Sequence, residues 1–437
     1  MTPRSAVAAL VLLLLAPASQ ARELWSAGGW QLDFSGSLRQ LLKVGQGTDL
    51  DAFSSAAAGC AGPEFPNCPA FLEVGEQTVV QSLTRLRARL DLQAGERVTA
   101  VLVYDQNIAA GHLATLENGL LASFARESFW GAESVIASGR HAAWSQVLYR
   151  GYLTAELGPL RAVLGRQRIA WGEGRLWNPI DRLNAIGPLA IEPDQSPGVD
   201  AIDLRWNFSG FDYLELVYAP ARDPDDASYA ARWHGVLWDT DWSMLGGWFE
   251  QAPTVGFDGS RNLGNAAVRF EAVWTDPGRE VLEFGSPAPR EPDDFWQVVV
   301  SLDTNLDVGS GLYLLVEQLY NGGALGFGSG LAGPLLPLFQ PPGVPASRDR
   351  FGTSRVVTGA RNLTGVELGY DLTPELRGDL LSLVDWSGRS LMLFPSLVWS
   401  PSGSVELSLG VQVGVGPTRS EYGDRGAFGY LLGEWFF

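Results

Sequence analysis

Apolar and polar residues alternate one by one over long stretches of this chain. From residue 80 to residue 92 the even-numbered positions are apolar or small, whereas the odd-numbered positions include Arg85, Arg87 and Arg89. Alternate positions point to opposite faces of a β-strand. A strand of about 9–11 residues crosses a bilayer at a tilt, whereas strands of soluble proteins are usually about five or six residues long. The pattern therefore predicts a membrane-spanning strand.

The same alternation recurs at 30–38, 202–208 and 405–413. In each stretch one face is apolar, as contact with lipid requires, and the other is polar. This is the arrangement of a membrane barrel around a watery lumen rather than of a protein with a dry core.

The connections between these stretches alternate in length. Short turns lie at 94–96, 158–159, 209–210, 239–241, 373–374 and 402–403, and long connections lie at 45–76, 108–143, 170–197, 220–228, 276–293, 322–353 and 416–426. Short turns at one end and long connections at the other are typical of an up-and-down membrane barrel.

The number of strands depends on one weak segment. The clear stretches are odd in number, whereas a single-chain bacterial barrel has an even number of strands. Residues 254–263, followed by a turn at 262–265, supply the missing strand. We therefore expect an all-β fold, a transmembrane antiparallel up-and-down β-barrel of about 18 strands, with 16 as the alternative.

The N-terminus has the pattern of an export signal. Arg4 is followed by an unbroken apolar run at 6–15, which is too short for a spanning helix, and then by small residues. We expect residues 1–21 to be a signal peptide, with cleavage after Ala18 as the alternative. Residues 22–437 then form a single outer-membrane barrel domain.

Composition agrees with this class. The chain has 52 glycines and 16 tryptophans, and such an aromatic excess is typical of the girdles at the two membrane interfaces. The net charge of −18 argues against nucleic acid as a partner. The expected surroundings are outer-membrane lipids and lipopolysaccharide.

Cys60 and Cys68 are the two cysteines of the chain. An even count at short spacing in an exported protein predicts a local disulfide. A metal or redox site is the weaker alternative, because no histidine lies near them.

The last strand ends with aromatic residues on one face. Leu431, Gly433, Trp435 and Phe437 alternate, and the chain ends on Phe437. This resembles the C-terminal recognition signal of outer-membrane proteins, so Trp435 and Phe437 are expected to guide the chain through the barrel-assembly machinery.

The most motif-like stretch runs from Gly165 to Asp181, with G-R-Q, then W-G, then N-P-x-D. It resembles a strand–loop pattern of Gram-negative outer-membrane porin-like β-barrels. The resemblance implies a porin-like barrel and fixes no substrate. The glycines permit a sharp bend, so the loop either folds into the lumen or forms a turn at the rim. In the first case it carries the constriction candidates Arg166, Arg168, Glu173 and Asp181.

Charged residues on the polar faces of the strands are candidates for the lumen lining. They are Arg85, Arg87, Arg89, Asp91, Arg150, Asp203, Arg205, Glu271 and Glu317. Three arginines about 7 Å apart repel one another unless carboxylates oppose them or they guide anions. Pore lining and structural charge pairing both remain open.

Catalysis has little support in the sequence. Of the three histidines only His234 falls on a predicted strand, and no Ser–His pairing is evident near it. We expect no catalytic residues, no cofactor and no metal, and a channel that admits small hydrophilic solutes across the outer membrane. The alternatives are a plugged anchoring barrel, the sheath of a porin–cytochrome conduit or a lipid-modifying barrel enzyme. Association with further copies or with a periplasmic partner stays open.

Overall fold

The computed structural model describes most of the chain after the predicted signal peptide. The described residues are 22–48, 76–111, 129–139, 141–184, 187–192, 198–277, 281–282, 289–290, 293–324, 358–417, 420–423 and 426–437. The predicted signal peptide and both cysteines lie outside these ranges.

Twenty-two strands account for nearly all regular structure in these ranges. They are β1 Arg22–Ala27, β2 Trp30–Thr48, β3 Glu76–Ala94, β4 Val98–Gly111, β5 Glu133–Gly139, β6 Ala142–Leu157, β7 Leu160–Gln167, β8 Val199–Asn207, β9 Tyr213–Ala219, β10 Ser228–Leu237, β11 Thr240–Phe249, β12 Ala252–Leu263, β13 Ala266–Thr275, β14 Val281–Leu282, β15 Pro289–Arg290, β16 Phe295–Leu306, β17 Leu312–Asn321, β18 Asn362–Thr373, β19 Leu376–Asp385, β20 Ser390–Ser402, β21 Val405–Val415 and β22 Ala427–Phe436. A 3-10 turn covers Pro224–Asp226. None of the helical structure in the described ranges is long and apolar enough to span a membrane.

Eighteen of these strands form one closed antiparallel barrel. Each pairs with the next, and β22 pairs with β2 to close the ring, from Ser37 opposite Phe436 to Gly45 opposite Phe428. The prediction of 18 strands is confirmed and the alternative of 16 is wrong. The weak segment is β12, which pairs with β11 and β13 along its length.

The outer face of the barrel is apolar along the strands. Leu102, Leu164 and Leu409 are each about half exposed there. Tryptophans form two bands on this surface. Trp206, Trp238 and Trp399 lie at the end with the short turns, and Trp144, Trp248, Trp296 and Trp386 lie at the end with the long connections. Aromatic bands around an apolar surface match the two interfaces of a bilayer.

Two strands, β7 and β5, share one edge of β6 in the wall of the barrel. Strand β7 ends at Gln167, and the chain then turns into the lumen. Because β4 pairs with one edge of β6 from Ala142 to Ala155, β5 occupies the other edge of β6 beyond the end of β7. Thus β5, within the predicted long connection 108–143, continues the wall where β7 leaves it.

Candidate functional site

The connection between β7 and β8 lies inside the barrel. We call residues 168–192 the inner segment; 185 and 186 are outside the described ranges. The indole Nε1 of Trp171 donates to Glu215 on β9 at 2.9 Å, and the Gln412 amide on β21 donates to the Leu189 carbonyl at 3.0 Å. Glu192 forms an ion pair with Arg85 on β3 at 3.3 Å. The inner segment therefore crosses the lumen from one wall to the other.

Local hydrogen bonds explain why this sequence turns so tightly. The Asn178 amide donates to the Trp171 carbonyl at 2.6 Å, and Asn178 Oδ1 accepts from the Asp181 N–H at 3.0 Å. Asp181 Oδ1 accepts from the Asn184 N–H at 2.7 Å. Gly172 has φ +87°, and a Cβ there would lie 2.2 Å from Asn178 Oδ1. The W-G and N-P-x-D residues therefore form one compact turn.

Burial raises the pKa of the Asp181 carboxyl to about 7, although the hydrogen bonds from Asn184 and Leu183 and the charge of Arg168 oppose this shift. The inner segment thus contains a buried acid whose charge depends on pH in the neutral range.

Two wall glutamates hold the backbone of the inner segment. Glu271 on β13 accepts from the N–H groups of Glu173 and Gly174, each at 2.5 Å, and from that of Ile180 at 3.1 Å. Glu317 on β17 accepts from the next three N–H groups, those of residues 175–177, at 2.8, 3.0 and 2.7 Å. Both glutamates are 0% exposed.

The lumen side formed by β8–β13 is packed. Apolar side chains of the inner segment contact apolar inward residues of these strands and exclude water between them. The cluster contains Ile169, Trp171, Ile180, Leu183, Val199, Ala201, Val217, Ala219, Leu245, Phe249 and Val273. We call this side the packed side.

Nearer the short turns, the packed side is filled by charged and polar residues. Arg232 Nη2 donates to Ser243 Oγ at 2.6 Å and lies 3.6 Å from Asp258. His234 Nδ1 lies 3.0 Å from the same serine oxygen. The structure thus forms a Ser–His contact that the sequence reading does not anticipate. Ser243 is 1% exposed and already bonded to a guanidinium, so it is not an accessible nucleophile.

The opposite side of the lumen contains an open cavity of about 1060 Å³. It lies between the inner segment and the strands β18–β22, β2 and β3, and it reaches Phe436 and Phe437 at the short-turn end. We call this side the open side. Its charged lining residues are Arg39, Arg87, Arg89, Arg168, Arg175, Asp181, Glu192, Glu367, Asp379, Glu406 and Glu434.

The arginine ladder of β3 is paired along its length. Arg85 contacts Glu192, and Arg87 donates twice to Asp105 at 2.7 and 2.6 Å. Arg89 donates twice to Asp91 at 2.7 and 2.8 Å. Arg87 and Arg89 nevertheless line the cavity, so charge pairing and pore lining occur together in this ladder.

Other charged residues of the open side have no such partners. The side chains of Arg168 and Arg175 are exposed, and neither forms a hydrogen bond or ion pair with any residue in the described ranges. The carboxylates of Glu367 and Glu406 on β18 and β21 are partly exposed and likewise form no hydrogen bond or ion pair within the described ranges. Cations from the inner segment and carboxylates from the wall therefore face the same space.

Several predicted site residues lie elsewhere. Glu271 and Glu317 are predicted to line the pore, but the inner segment covers both. Arg166 is predicted at the constriction, but it remains in the wall in a buried ion pair with Asp200 at 2.9 Å. Glu173 is on the inner segment, 3.9 Å from Arg269 on β13. In each case contact with the inner segment or a neighbouring strand replaces contact with the pore.

The remaining lumen candidates are also held in the wall. Arg150 is buried against the ring of Tyr149, 4.2 Å from its centroid. Arg205 stacks on Tyr213 at 3.3 Å, and Asp203 is buried. Thus among the predicted residues Arg87, Arg89, Arg168 and Asp181 meet at the cavity.

The candidates named from the sequence leave out seven of the charged residues that line the cavity, among them Arg39, Arg175 and Glu192. Arg39 lies directly opposite Arg85 in the strand register and forms ion pairs with Glu192 and Glu434. The polar face of β2 is a signal for Arg39. Arg175 and Glu192 belong to a non-repeating loop, so no periodicity indicates which way their side chains point.

The C-terminal residues complete the closure of the barrel. Phe437 and Gly36 exchange backbone hydrogen bonds of 2.8 and 3.0 Å, and the rings of Trp435 and Phe437 lie 5.2 Å apart. The chain end is therefore held in the wall next to β2.

No protein-family model and no curated protein sequence matches this chain. Solved structures do resemble it. OccAB1 of Acinetobacter baumannii aligns with a TM-score of 0.52 and 9% identity over 97% of this chain and 99% of that chain. A doubly substituted variant of OccD1 (OprD) aligns with a TM-score of 0.50 and 8% identity, covering 96% and 97%. OccK8 (OprE) of Pseudomonas aeruginosa has a TM-score of 0.48 and 8% identity, covering 92% and 98%. The first two likenesses support the closed barrel fold.

Proposed function

We propose that this protein is an outer-membrane channel through which small hydrophilic solutes diffuse. The observation that carries the proposal is the open side of the lumen. An 18-strand ring is wide enough for an aqueous passage, and the inner segment leaves about 1060 Å³ of it free and lined by charged residues. In the described ranges no group of three or more metal-binding side chains occurs, and no step of diffusion calls for a cofactor.

The outer face supports the proposed location. Leucines and valines between two tryptophan bands fit the hydrocarbon layer and its interfaces. The long connections would then face the lipopolysaccharide at the cell surface, and the short turns would face the periplasm. Trp435 and Phe437, at the end of the last strand, would serve as the signal for the barrel-assembly machinery.

Lumen charges would set a weak ion preference. Unpaired cations attract anions more than cations already bonded to carboxylates, because a bonded pair has little net field at a distance. Arg168 and Arg175 therefore contribute more to anion passage than the paired arginines of β3. The nearby Glu367 and Glu406 oppose this effect and keep the preference small.

Single-channel conductance of the folded barrel in a planar bilayer tests the proposal. We compare wild type with two double variants. Arg168→Gln/Arg175→Gln removes two cations of the cavity that are unpaired within the described ranges. Arg222→Gln/Arg389→Gln is the control, because it removes from connections between strands two exposed arginines that do not line the cavity. Wild type should show steady ohmic steps. The anion/cation permeability ratio should fall about twofold in the first variant and stay at the wild-type value in the second.

Silence of a correctly folded wild-type barrel would overturn the channel proposal and favour a plugged anchoring barrel. Equal permeability ratios in the two double variants would show that the ion path avoids the open side.

A further inference from the structure

We propose that Glu271 and Glu317 act together as a latch that positions the inner segment and thereby sets the size of the pore. The inference deepens the channel function proposed above and rests on it. Both residues lie on the inner face of the wall, and neither lines the cavity. Their role would be to hold the segment that does.

Backbone N–H groups of the inner segment donate hydrogen bonds to carboxylate side chains of the wall. Six backbone N–H groups, those of residues 173–177 and 180, donate to these two carboxylates. Successive N–H groups that converge on one point form an anion-binding concavity. Here the bound anion in each concavity is a side chain of the barrel itself.

Within the described ranges, no positively charged side chain pairs with either carboxylate. Neither Glu271 nor Glu317 forms an ion pair with any residue that the structure describes, although both are fully buried. A buried carboxylate must be satisfied by hydrogen bonds. The N–H groups of the inner segment fill that role, so the wall charge and the position of the segment depend on each other.

Near each carboxylate a glycine of the wall leaves room for an apolar side chain of the inner segment. A Cβ at Gly365 would lie 2.2 Å from Leu176 Cδ1, and one at Gly256 would lie 2.6 Å from Ile180 Cδ1. Gly365 is directly opposite Glu317 in the strand register. Ile180 contacts Gly256 through its side chain and Glu271 through its N–H. The wall therefore has two docking points, each with a carboxylate and a small residue.

Inward glutamates without this arrangement provide a matched control. Glu367 and Glu406 also point into the lumen, yet they line the cavity and bond to nothing in the described ranges. The same residue type at an equivalent position thus occurs with and without contact to the inner segment.

The test compares Glu271→Gln/Glu317→Gln with Glu367→Gln/Glu406→Gln in the full barrel. An amide in place of a latch carboxylate turns an N–H group toward the N–H groups of the segment, which removes acceptors and adds repulsion. Released from the wall, the segment should expose the peptide bond after Arg182, whose side chain is 0% exposed. Folding of each variant is checked by heat-dependent migration in gels.

Two readouts follow the segment. Tryptic cleavage after Arg182, detected by mass spectrometry of the fragments, should be about tenfold faster in the latch variant, because proteolysis follows the population of the open state. Single-channel conductance should rise about twofold, because the segment no longer narrows the lumen. The control variant should match wild type in both cleavage and channel size.

Gly365→Val tests the same docking point without changing a charge. The added methyl groups should displace Leu176 and increase cleavage after Arg182. This variant also decides the matter if the double glutamine variant does not fold. Folded variants with wild-type cleavage and conductance would overturn the latch. If cleavage changes as expected while no form of the barrel conducts, the positioning role stands and the channel function fails.

Discussion

The two sides of the lumen are built from strands with the same alternating pattern, yet they differ in what covers their inner faces. On the packed side, Val217, Leu245 and Val273 lie beneath the inner segment. On the open side, Glu367 and Glu406 line a cavity. An inward position in a barrel therefore does not make a residue pore-lining. The segment that folds into the lumen decides which inward residues meet solvent.

Ion pairs in the wall and in the lumen also differ in how deeply they are buried. Arg166 on β7 and Asp200 on β8 lie within the wall, where they form two hydrogen bonds of 2.9 Å and have side chains that are 4% and 2% exposed. Arg89 and Asp91 on the open side form two bonds of 2.7 and 2.8 Å, but their side chains are 46% and 25% exposed. Similar geometry thus occurs in two dielectric surroundings.

The largest contrast is expected from breaking these two pairs. Asp200→Asn leaves the Arg166 charge buried without its partner, which should lower the free energy of unfolding by about 3–5 kcal/mol. Asp91→Asn should lower it by about 0–1 kcal/mol, because water replaces the lost partner. Urea titration of the barrel in lipid vesicles measures both. Equal losses would show that water reaches the Arg166 side chain within the wall.

Removing an aromatic ring from each side sharpens the comparison. Phe249 is 2% exposed, and its ring lies 6.2 Å from that of Trp171. Phe394 is 8% exposed; one part of its ring lines the cavity, and its edge packs against Tyr430 with the centroids 5.9 Å apart. Phe249→Ala should cost about 3–5 kcal/mol of unfolding free energy through the cavity it leaves. Phe394→Ala should cost about half of that, since the ring already borders open space. A larger loss for Phe394→Ala would contradict the division into packed and open sides.

Acidity should affect the attachment of the inner segment through Asp181. Burial raises the pKa of this carboxyl to about 7, whereas an unfolded aspartate has a pKa of about 3.9. The folded state therefore holds the proton more tightly, so this contribution to stability is complete below about pH 4 and is lost as the pH rises to about 7. We expect a loss of roughly 2–4 kcal/mol between these limits.

Asp181→Asn keeps the acceptor oxygen for the N–H groups of Asn184 and Leu183 and removes the titration. Heat-induced unfolding at pH 5 and pH 8 should show a smaller decrease in the variant than in wild type. Identical decreases in the two proteins would assign the pH dependence to other groups.

The smallest effect is expected from a single open-side carboxylate. Glu406→Gln should raise the anion/cation permeability ratio by less than about twofold, because mobile ions in the cavity screen a partly exposed charge within about 8–10 Å. Its unfolding free energy should stay within about 0.5 kcal/mol of wild type. Reversal potentials in a salt gradient measure the ratio. An unchanged ratio would show that this carboxylate lies outside the ion path.

Several features of the barrel follow from the sequence by itself. The alternation of residues 80–92 predicts β3, and the short turns with the even-number requirement predict β12 and the count of eighteen. These inferences hold because strand direction and outer-face contact with lipid are local properties, repeated every second residue. β5 is not predicted, because it pairs with the part of β6 that is left without a neighbour where β7 ends and the chain turns into the lumen.

The interior was decided by tertiary structure. The Gly165–Asp181 stretch indicates a sharp bend, but its direction into the lumen depends on Glu271 and Glu317, which lie about a hundred residues or more further along the chain. The inner segment covers these two glutamates, whereas it leaves Glu367 and Glu406 open to the cavity. Alternation tells which side chains point inward. Which of them meet water is set by a non-repeating segment whose contacts with the wall are long-range, and no local pattern encodes those contacts.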